Sequence, residues 1–245
     1  MTEPAYRSLA DELAALAASV PSGSRLPSEN ELVASHGVSR LTARAALQEL
    51  EQRHVVRRVR GAGTFTVRRA ELQVGSGGVG DWPAAVRSAG AEPRCEDVST
   101  RTRRPAAGLR ADLDLDEDER VTTVALAASI DGVPACQVTS HLPAELVAGL
   151  VDQLEGVLPG GVSHLLRAGC GLEPVLSRVV AELVLAPVEV AAGFGLDGRP
   201  HVWRVDARYE DPRLGRPVEV ARWWLRADLQ RVVLRVEASG AGGPG

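Results

Sequence analysis

The chain contains no lysine, so its 28 basic residues are all arginine. A lysine forms the Schiff base with pyridoxal phosphate, and the P-loop motif needs a lysine to reach nucleotide phosphates. The sequence therefore excludes both kinds of site.

Cysteine is scarce. The three cysteines, Cys95, Cys136 and Cys170, are far apart and form no C-x-x-C pair. This pattern predicts neither a disulfide framework nor a zinc site, and it suits a reducing cytoplasm. The five histidines show no metal-ligand spacing either. We therefore expect no metal, no cofactor and no catalytic residue.

Long apolar runs are also missing. No run reaches the ~18 to 20 residues that a membrane helix needs, and the N-terminus lacks the basic, apolar and small-residue order of a signal peptide. We therefore expect a cytoplasmic protein that does not contact a membrane.

The net charge of −4 hides an asymmetry along the chain. Residues 1–70 hold ten arginines and seven acidic residues, a net charge of +3, whereas residues 71–245 hold 18 arginines and 25 acidic residues, a net charge of −7. With 245 residues available, this predicts a small basic head that binds nucleic acid and a larger acidic body.

The head begins with a helix over residues 5–19 and continues with a helix-turn-helix. Ser28 and Glu31 have the spacing of a capping box, and Gly37 ends the helix that they start. Ser39 can then cap a second helix that runs to about Arg53. Two faces follow from the helical period: an apolar stripe and an outer face that begins with arginines. The apolar stripe comprises Ala43, Ala46, Leu47 and Leu50. The outer face comprises Arg40, Arg44, Gln48 and Glu51.

A basic β-hairpin is predicted directly after these helices. Residues 55–60 and 64–67 have strand character, and Gly61-Ala62-Gly63 forms the turn between them. Arginines edge both strands, at positions 57, 58, 60, 68 and 69. A hairpin at this place is a wing, and the second helix would enter the major groove with its N-terminus first.

Four motifs in this region resemble the winged-helix head of GntR-type repressors. They are R-L-P-S-E-x-E-L at residues 25–32, G-V-S-R at 37–40, A-L-x-x-L at 46–50 and R-G-x-G-T-F at 60–65. The alternative is an amphipathic helix pair with a solvated, charged outer face. Some such repressors carry an aminotransferase-like body, which the missing lysine and the short chain exclude here.

The resemblance implies roles for residues of the head. Arg40 and Arg44 would read guanine edges, which their forked guanidinium groups match. Ser39 and Thr42 would bond phosphates. Two positions depart from the family pattern: Asn30 could bond a phosphate or an adenine, and Leu41 could contact a thymine methyl. The complete predicted DNA-binding set is Arg25, Ser28, Asn30, Ser39, Arg40, Leu41, Thr42, Arg44, Arg60, Gly61, Gly63 and Thr64.

The remaining chain predicts an α+β body built around an antiparallel sheet. We place the DNA-binding head at 1–69, a flexible Gly-rich linker at 70–80, the body at 81–238 and a flexible tail at 239–245. Helices are predicted at 81–90, 106–113, 142–154, 162–168 and 187–193. Strands are predicted at 94–103, 121–129, 134–141, 176–185 and 201–209, followed by a final pair at 217–226 and 230–237.

The body resembles the UTRA ligand-binding domain of the HutC subfamily, which shares a fold with chorismate lyase. The matching motifs are D-G-x-P at 131–134, H-L-P at 141–143, G-R-P-V-E at 215–219 and W-L-R-A-D at 224–228. The resemblance implies that Ser163, Arg178 and Glu219 bind an effector. Arg226 and Asp228 also match, but an ion pair is the favoured interpretation. Leu126 and Ala128 stand where sugar-phosphate sensors carry arginines.

The sequence thus predicts a homodimeric repressor that a small-molecule effector releases from a palindromic double-stranded DNA operator. One alternative is a constitutive DNA binder whose body only dimerises. The other is a chorismate-lyase-like enzyme, for which the sequence offers no nucleophile–base arrangement.

Overall fold

A computed structural model describes residues 4–59, 61–75, 78–154 and 159–235. The chain forms two compact units. One runs to Arg69 and also includes residues 89–91, and the other contains the rest of the chain from Ala70. The tail predicted at 239–245 lies outside the described residues.

The first unit contains three helices and a small antiparallel sheet. The helices are α1 (Ala5–Ser19), α2 (Glu29–His36) and α3 (Arg40–Gln52). The strands are β1 (Arg25–Leu26), β2 (Val56–Val59) and β3 (Gly63–Thr66), in the order β1-β3-β2. The predicted helix-turn-helix and its following hairpin are confirmed.

The core of this unit lies between α1 and α3. Leu9 and Leu13 of α1 are buried in one cluster with Leu47 and Leu50 of α3. All four residues of the predicted apolar stripe on α3 are buried. Burial of this stripe fixes the rotation of α3 about its axis, so its arginine-bearing face is turned to the surface.

The second unit alternates strands with short helices. Its strands are β4 (Ala70–Gly75), β5 (Gly78–Val79), β6 (Pro93–Arg103), β7 (Val121–Ile130), β8 (Val133–Pro143), β9 (Val175–Leu185), β10 (His201–Asp211), β11 (Arg216–Arg226) and β12 (Gln230–Leu234). Its helices are α4 (Trp82–Ser88), α5 (Ala107–Asp112), α6 (Val151–Leu154), α7 (Val162–Cys170) and α8 (Val188–Gly193), with a 3-10 helix at Ala144–Val147.

Six of these strands form an antiparallel sheet in the order β6-β7-β8-β11-β10-β9. The predicted turn between β7 and β8 is present, with φ of 50° at Asp131 and 75° at Gly132. Two positive φ values in a two-residue loop match the right-handed twist of the flanking strands. The predicted α+β class is therefore confirmed, with β8 and β11 at the centre of the sheet.

The two faces of the six-stranded sheet differ in chemistry because successive side chains point to opposite sides. One face is buried and mainly apolar, with Leu126, Val138, Ala207, Ala221 and Trp223. The other face carries ion pairs along β10 and between β10 and β11: Arg222 with Asp206 at 2.5 Å, Arg204 with Asp206 at 3.2 Å and Arg208 with Glu210 at 3.2 Å.

Residues 70–80 contain strands where a flexible linker was predicted. β4 pairs in parallel with β12 and antiparallel with β5, and Leu72 and Val74 are buried. The glycine content misled the prediction because Gly78 has a packing role. A Cβ at Gly78 would lie 2.8 Å from the ring of Tyr209, so only glycine permits this close approach.

Two further predictions for the body need correction. The strand at the chain's end, β12, does not pair with β11 but with β4. The helix predicted over 142–154 is instead the end of β8, the 3-10 helix and α6. Leu142 and Pro143 pair with Thr122 and Val121 of β7, so the ladder continues past the point where a helix was expected. Among the described residues no helix is both long and apolar enough to cross a bilayer.

Candidate DNA-binding face and effector site

Three local interactions position α3. The Ser28 hydroxyl accepts a hydrogen bond from the Glu31 N–H at 3.3 Å, and the Glu31 carboxylate accepts one from the Ser28 N–H at 2.6 Å. Gly37 ends α2 in the left-handed conformation, with φ of 65°. The Ser39 hydroxyl then accepts from the Thr42 N–H at 3.1 Å and caps α3. The predicted capping box, turn and N-cap are confirmed.

Ser39 and Thr42 also share a hydrogen bond between their hydroxyl oxygens, at 2.9 Å. Only one of the two hydroxyl protons is used in that bond, so the other proton can be donated outward. A phosphate oxygen at the start of α3 would be a suitable acceptor.

The outer face of α3 presents the residues that the sequence placed there. Arg40 and Gln48 are exposed, and the side chain of Arg44 is 57% exposed. Leu41 is 77% exposed, the largest exposed fraction given for a large apolar side chain among the described residues. These side chains are available to a DNA groove.

Glu29 connects Arg44 to the wing. Its carboxylate accepts hydrogen bonds from Arg44 Nη2 at 3.1 Å and from Arg58 Nη2 at 3.0 Å. The hydrogen bond from Arg44 lowers the pKa of Glu29 and outweighs the opposing effect of burial. Glu29 therefore stays ionised and ties α2, α3 and β2 together. It was not singled out from the sequence, because a glutamate in the first turn of a helix is ordinary.

The wing meets α2 along a groove. Gly61 and Gly63, predicted at the wing tip, have φ of 78° and 125°. A Cβ at Gly63 would lie 3.2 Å from Nε of Arg25, so the strand and this arginine approach closely. Arg25, Ser28, Asn30, Gly61 and Gly63 all line the groove. Arg60 lies outside the described residues.

Two residues of the wing have structural roles. Thr64, predicted to contact DNA, is only 5% exposed, since it pairs with Leu26 in the centre of the small sheet. Arg68 donates hydrogen bonds to the carbonyl oxygens of Ala18 at 2.8 Å and Val20 at 3.3 Å. Thr64 and Arg68 therefore stabilise the fold of the head. The prediction that the Thr64 side chain contacts DNA is corrected, because that side chain is buried.

Glu219 lies on β11 and is only 3% exposed. Its carboxylate accepts hydrogen bonds from the Ser140 hydroxyl at 2.7 Å and from the Ser163 hydroxyl at 3.3 Å. Ser140 belongs to β8, and Ser163 lies in the first turn of α7. Three segments that are distant in sequence thus converge on one buried carboxyl group.

Burial raises the pKa of Glu219 to about 7, although both serine hydrogen bonds act to lower it. Its cross-strand neighbour is Tyr209. Burial and the charge of Glu219 raise the pKa of Tyr209, so its hydroxyl stays protonated. That hydroxyl accepts a hydrogen bond from the Val79 N–H at 2.9 Å. A carboxyl group with a pKa near neutral can accept a hydrogen bond when ionised and donate one when protonated.

Ser163 lies with Glu219 as the resemblance implied, but Arg178 does not. Arg178 pairs with Arg208, whereas Glu219 pairs with Tyr209. Arg208 and Tyr209 are consecutive, so their side chains lie on opposite faces of the sheet. The prediction that Arg178 shares a site with Glu219 is therefore wrong.

Leu126 and Ala128 lie on the same face of the sheet as Glu219 and are 6% and 1% exposed. Their cross-strand partners are Val98 and Val138 for Leu126 and Cys95 and Cys136 for Ala128, and none of these side chains is a cation. Arg226 forms the expected ion pair with Asp228, with Nε and Oδ1 at 3.0 Å.

Ser140 and Tyr209 were not identified from the sequence. Both lie on strands, where a serine or a tyrosine at an inward position has no distinctive spacing. The only available signal was the strand alternation, which puts both on the buried face. Within the described residues there is also no group of three or more histidine, cysteine, aspartate or glutamate residues that could hold a metal ion.

These two sites define the class of protein: a DNA-binding winged helix-turn-helix joined to an antiparallel-sheet domain with a buried polar site. Two family models match the chain. The model for bacterial regulatory proteins of the gntR family matches residues 4–66, and the UTRA domain model matches residues 88–231. The chain therefore belongs to the GntR family of transcription regulators, in the HutC subfamily that the UTRA domain defines.

Individual relatives agree with this assignment. The chain is 32% identical over 217 residues to the HTH-type transcriptional regulator Rv0792c of Mycobacterium tuberculosis, covering 80% of this chain and 79% of that protein. It is 29% identical over 107 residues to the HTH-type transcriptional regulator TreR of Bacillus subtilis, covering 44% and 45% of the two chains.

A solved structure supports the fold. The crystal structure of PhnF from Mycobacterium smegmatis matches with a TM-score of 0.65 at 23% identity, over 94% of this chain and 99% of that one. Since the UTRA domain is a ligand-binding effector domain, the chain is a DNA-binding transcription regulator with a small-molecule effector and is not an enzyme.

Proposed function

We propose that this regulator is a repressor that binds an inverted-repeat operator as a homodimer and leaves it when a small metabolite binds at Glu219. A single head offers few base contacts, and two-fold symmetry doubles them. Arg40 and Arg44 would read bases, Leu41 would contact a thymine methyl, and Ser39 with Thr42 would bond a phosphate. Asn30 and the wing glycines would lie against the DNA backbone.

The observation that carries the effector proposal is the buried carboxyl group of Glu219, held by Ser140 and Ser163. A buried carboxyl group that has only hydroxyl partners is costly for the free protein. A ligand that supplies hydroxyl, amine or amide donors would satisfy it better. A phosphate ester would place a second anion there, and the buried positions of Leu126 and Ala128 offer no cation. We therefore propose that the effector is not a simple hexose 6-phosphate.

The effector must act through a difference in affinity. By linkage, an inducer weakens DNA binding only by the ratio of its affinities for the free and DNA-bound forms. Its binding should also raise the melting temperature of the free chain. These two readouts are independent and together separate an inducer from a compound that merely binds.

The test uses the full chain in three steps. An operator is selected from random-sequence DNA and footprinted; we expect protection of both halves of an inverted repeat. Metabolites that raise the melting temperature are then titrated against the operator complex, and we expect release by a compound rich in hydroxyl or amine groups. Finally, Glu219→Ala should bind the operator normally and no longer respond.

Four outcomes would contradict the proposal. Protection of one asymmetric half-site would contradict the proposal of an inverted-repeat operator. Release at micromolar glucosamine 6-phosphate would overturn the argument against phosphate esters. Operator binding that no metabolite alters, or a Glu219→Ala variant that responds normally, would favour a constitutive DNA binder or a different effector site.

A further inference from the structure

One buried tryptophan of the body has an unpaired N–H group. The side chain of Trp223, on β11, is only 3% exposed, and among the described residues its indole Nε1 has no hydrogen-bond partner. Two other buried nitrogens without hydrogen bonds, Nε of Arg204 and Nε of Arg208, each lie 3.2 Å from a carboxylate. Buried tryptophan N–H groups usually have an acceptor, because an unpaired donor costs free energy, and that of Trp82 donates to Gln230 at 2.5 Å. The N–H of Trp223 is therefore an available donor in the interior of the body.

Trp223 shares a face of the sheet with Glu219. The two residues are four positions apart on β11, which sets their Cα atoms about 13 Å apart. Ala221 lies between them, and its cross-strand partners are Ala207 and Ser140. The Ser140 hydroxyl donates to Glu219. A row of small side chains thus separates a buried carboxyl group from a buried N–H that lacks an acceptor.

The segment that leads into α7 contacts both groups. Ser163, in the first turn of α7, donates to the carboxyl group of Glu219 at 3.3 Å. Three residues earlier, Gly160 faces the ring of Trp223, since a Cβ at this glycine would lie 3.7 Å from Cη2. Gly160 has φ of 87°, and the same Cβ would lie 3.1 Å from a backbone carbonyl oxygen, so glycine allows the close approach. A small molecule bound beside residues 160–163 would therefore lie close to both Trp223 and Glu219.

The surroundings of the indole N–H decide which acceptor suits it. Trp223 lies in a row of cross-strand neighbours that crosses the sheet and contains only apolar side chains. The row comprises Val98, Leu126, Val138, Trp223, Val205 and Ala181. A carboxylate or phosphate beside this row would lose its hydration without meeting a cation, which is far more costly than burying a neutral group. A neutral carbonyl oxygen accepts a hydrogen bond from an N–H and avoids that cost.

We propose that Trp223 is a specificity-determining residue of the effector site and that its indole N–H donates to an uncharged carbonyl oxygen of the effector. The carboxyl group of Glu219 binds a hydroxyl or amine at the other end of the same molecule. The effector is therefore an amide, lactam, lactone or ester that also carries a hydroxyl or amine group. This inference rests on the effector site of the proposed function and names the chemistry at its second end.

The unpaired donor is tested first in the free chain. Trp223→Phe and Trp82→Phe remove the same volume and one N–H group each. Trp82→Phe also leaves Gln230 without its donor, so this variant should unfold at a lower urea concentration than Trp223→Phe. A Trp223→Phe chain that unfolds at the same urea concentration as Trp82→Phe, or at a lower one, overturns the inference, because the N–H would then have a partner in the free chain.

The acceptor is tested with three compounds that share one carbon chain and a terminal hydroxyl for Glu219. They are δ-hydroxyvaleramide, δ-hydroxyvalerate and the isosteric alcohol in which an isopropyl group replaces the amide. In the full chain labelled with nitrogen-15, the probe is the indole N–H resonance that Trp223→Phe removes. We expect δ-hydroxyvaleramide to shift this resonance downfield in a saturable way. The carboxylate and the alcohol should bind about tenfold more weakly, since one lacks a counter-charge and the other an acceptor.

Variants show which side chains the amide needs. Trp223→Phe should weaken the binding of δ-hydroxyvaleramide by about threefold to tenfold, the value of one hydrogen bond. Glu219→Ala should weaken it as well. Trp224→Phe is the matched control, because successive residues of β11 point to opposite faces, and it should leave the affinity unchanged. Titration calorimetry measures the four affinities.

The outcomes separate this inference from the proposed function. Selective, saturable binding of δ-hydroxyvaleramide that needs both Trp223 and Glu219 supports the inference. A Trp223 resonance that none of the three compounds shifts overturns it, as does an amide that binds no better than the carboxylate or the alcohol. Unchanged amide affinity in Trp223→Phe also overturns it, and all three results leave operator binding and effector release at Glu219 untouched. Unchanged amide affinity in Glu219→Ala overturns the inference and the proposed effector site together.

Discussion

Arg44 combines exposure with a fixed direction. Glu29 holds its guanidinium through two nitrogens, Nε at 3.2 Å and Nη2 at 3.1 Å. An arginine held in this way loses less side-chain entropy when it binds a base than a free one would. The same carboxylate competes with the base for the guanidinium. The orienting effect of Glu29 therefore favours base binding, whereas the loss of its hydrogen bonds to Arg44 opposes it.

Replacing Arg44 by alanine should weaken operator binding by roughly 1–3 kcal/mol and relax the sequence preference at one base pair per half-site. Titrations of operator and scrambled DNA, measured by fluorescence anisotropy, give both quantities. Arg68→Ala is the control. Because Arg68 bonds the carbonyls at the end of α1, its loss should cost about 1 kcal/mol of stability without altering sequence preference. Equal losses on both DNAs for Arg44→Ala would show that Arg44 contacts phosphate only.

Glu219 should make stability depend on pH. Its pKa in the folded chain is about 7, above the ordinary value of 4.5, so folding favours the protonated form. Its contribution is complete below pH 4.5 and is lost as the pH rises to about 7 and beyond, by an amount on the order of 3 kcal/mol.

Urea unfolding of the wild type and of Glu219→Gln between pH 4.5 and 8 checks this. The free energy of unfolding of the wild type should fall relative to that of the glutamine variant, which stays neutral. Glu117→Gln, at an exposed position, should run parallel to the wild type. If the wild type and Glu219→Gln also ran parallel, the carboxyl group would have an ordinary pKa and the buried site would be open to water.

At the scale of elements, the wing depends on one backbone conformation. Gly63 has φ of 125°, which side-chain-bearing residues rarely adopt, and Arg25 fills the space where a Cβ would lie. Gly63 is the first residue of β3 and pairs with Val59 of β2, and the next residue, Thr64, pairs with both Arg58 of β2 and Leu26 of β1. The wing and the first strand of the head therefore share this constraint.

Gly63→Ala should destabilise the head by about 1–3 kcal/mol through backbone strain and weaken DNA binding because the wing tip is displaced. Gly108→Ala is the matched control. Gly108 lies in α5 with ordinary φ and open space beside it, so alanine there should be neutral or slightly stabilising. Thermal melting and DNA titration measure the two effects. A Gly63→Ala variant that melts like the wild type would show that the turn can relax at little cost.

At the scale of the whole molecule, β12 is joined to the rest of the body by one buried side chain. Gln230, at the start of β12, is fully buried. It accepts a hydrogen bond from Trp82 Nε1 at 2.5 Å and donates one to the carbonyl of Ala135 at 2.6 Å. One side chain thus links β12, α4 and β8. The small β12-β4-β5 sheet is therefore part of the body's framework.

Gln230→Ala should lower the free energy of unfolding by about 2–4 kcal/mol, because it leaves a buried donor and a buried acceptor without partners. Gln153→Ala, at an exposed position of α6, should change it by less than about 0.5 kcal/mol. Chemical denaturation of both variants measures the difference. A Gln230→Ala variant of wild-type stability would mean that water replaces the amide in that space.

The sequence determined the head almost completely. Its signals are local: a capping box, a glycine stop, an N-cap and a helical apolar stripe all act within about one or two turns of the chain. Interactions of such short range are readable in order along the sequence. Arg40 and Arg44 could be placed on the outer face for the same reason, and the hairpin of the wing follows from adjacent strands.

Only the tertiary structure decided the rest. Strand pairing joins residues far apart in the chain, and register then sets which face a side chain occupies. That is why β12 was assigned to the wrong neighbour, why Arg178 was placed with Glu219, and why Ser140 and Tyr209 were missed. The linker prediction failed likewise, because the reason for glycine at position 78 is the ring of Tyr209, 131 residues further along the chain.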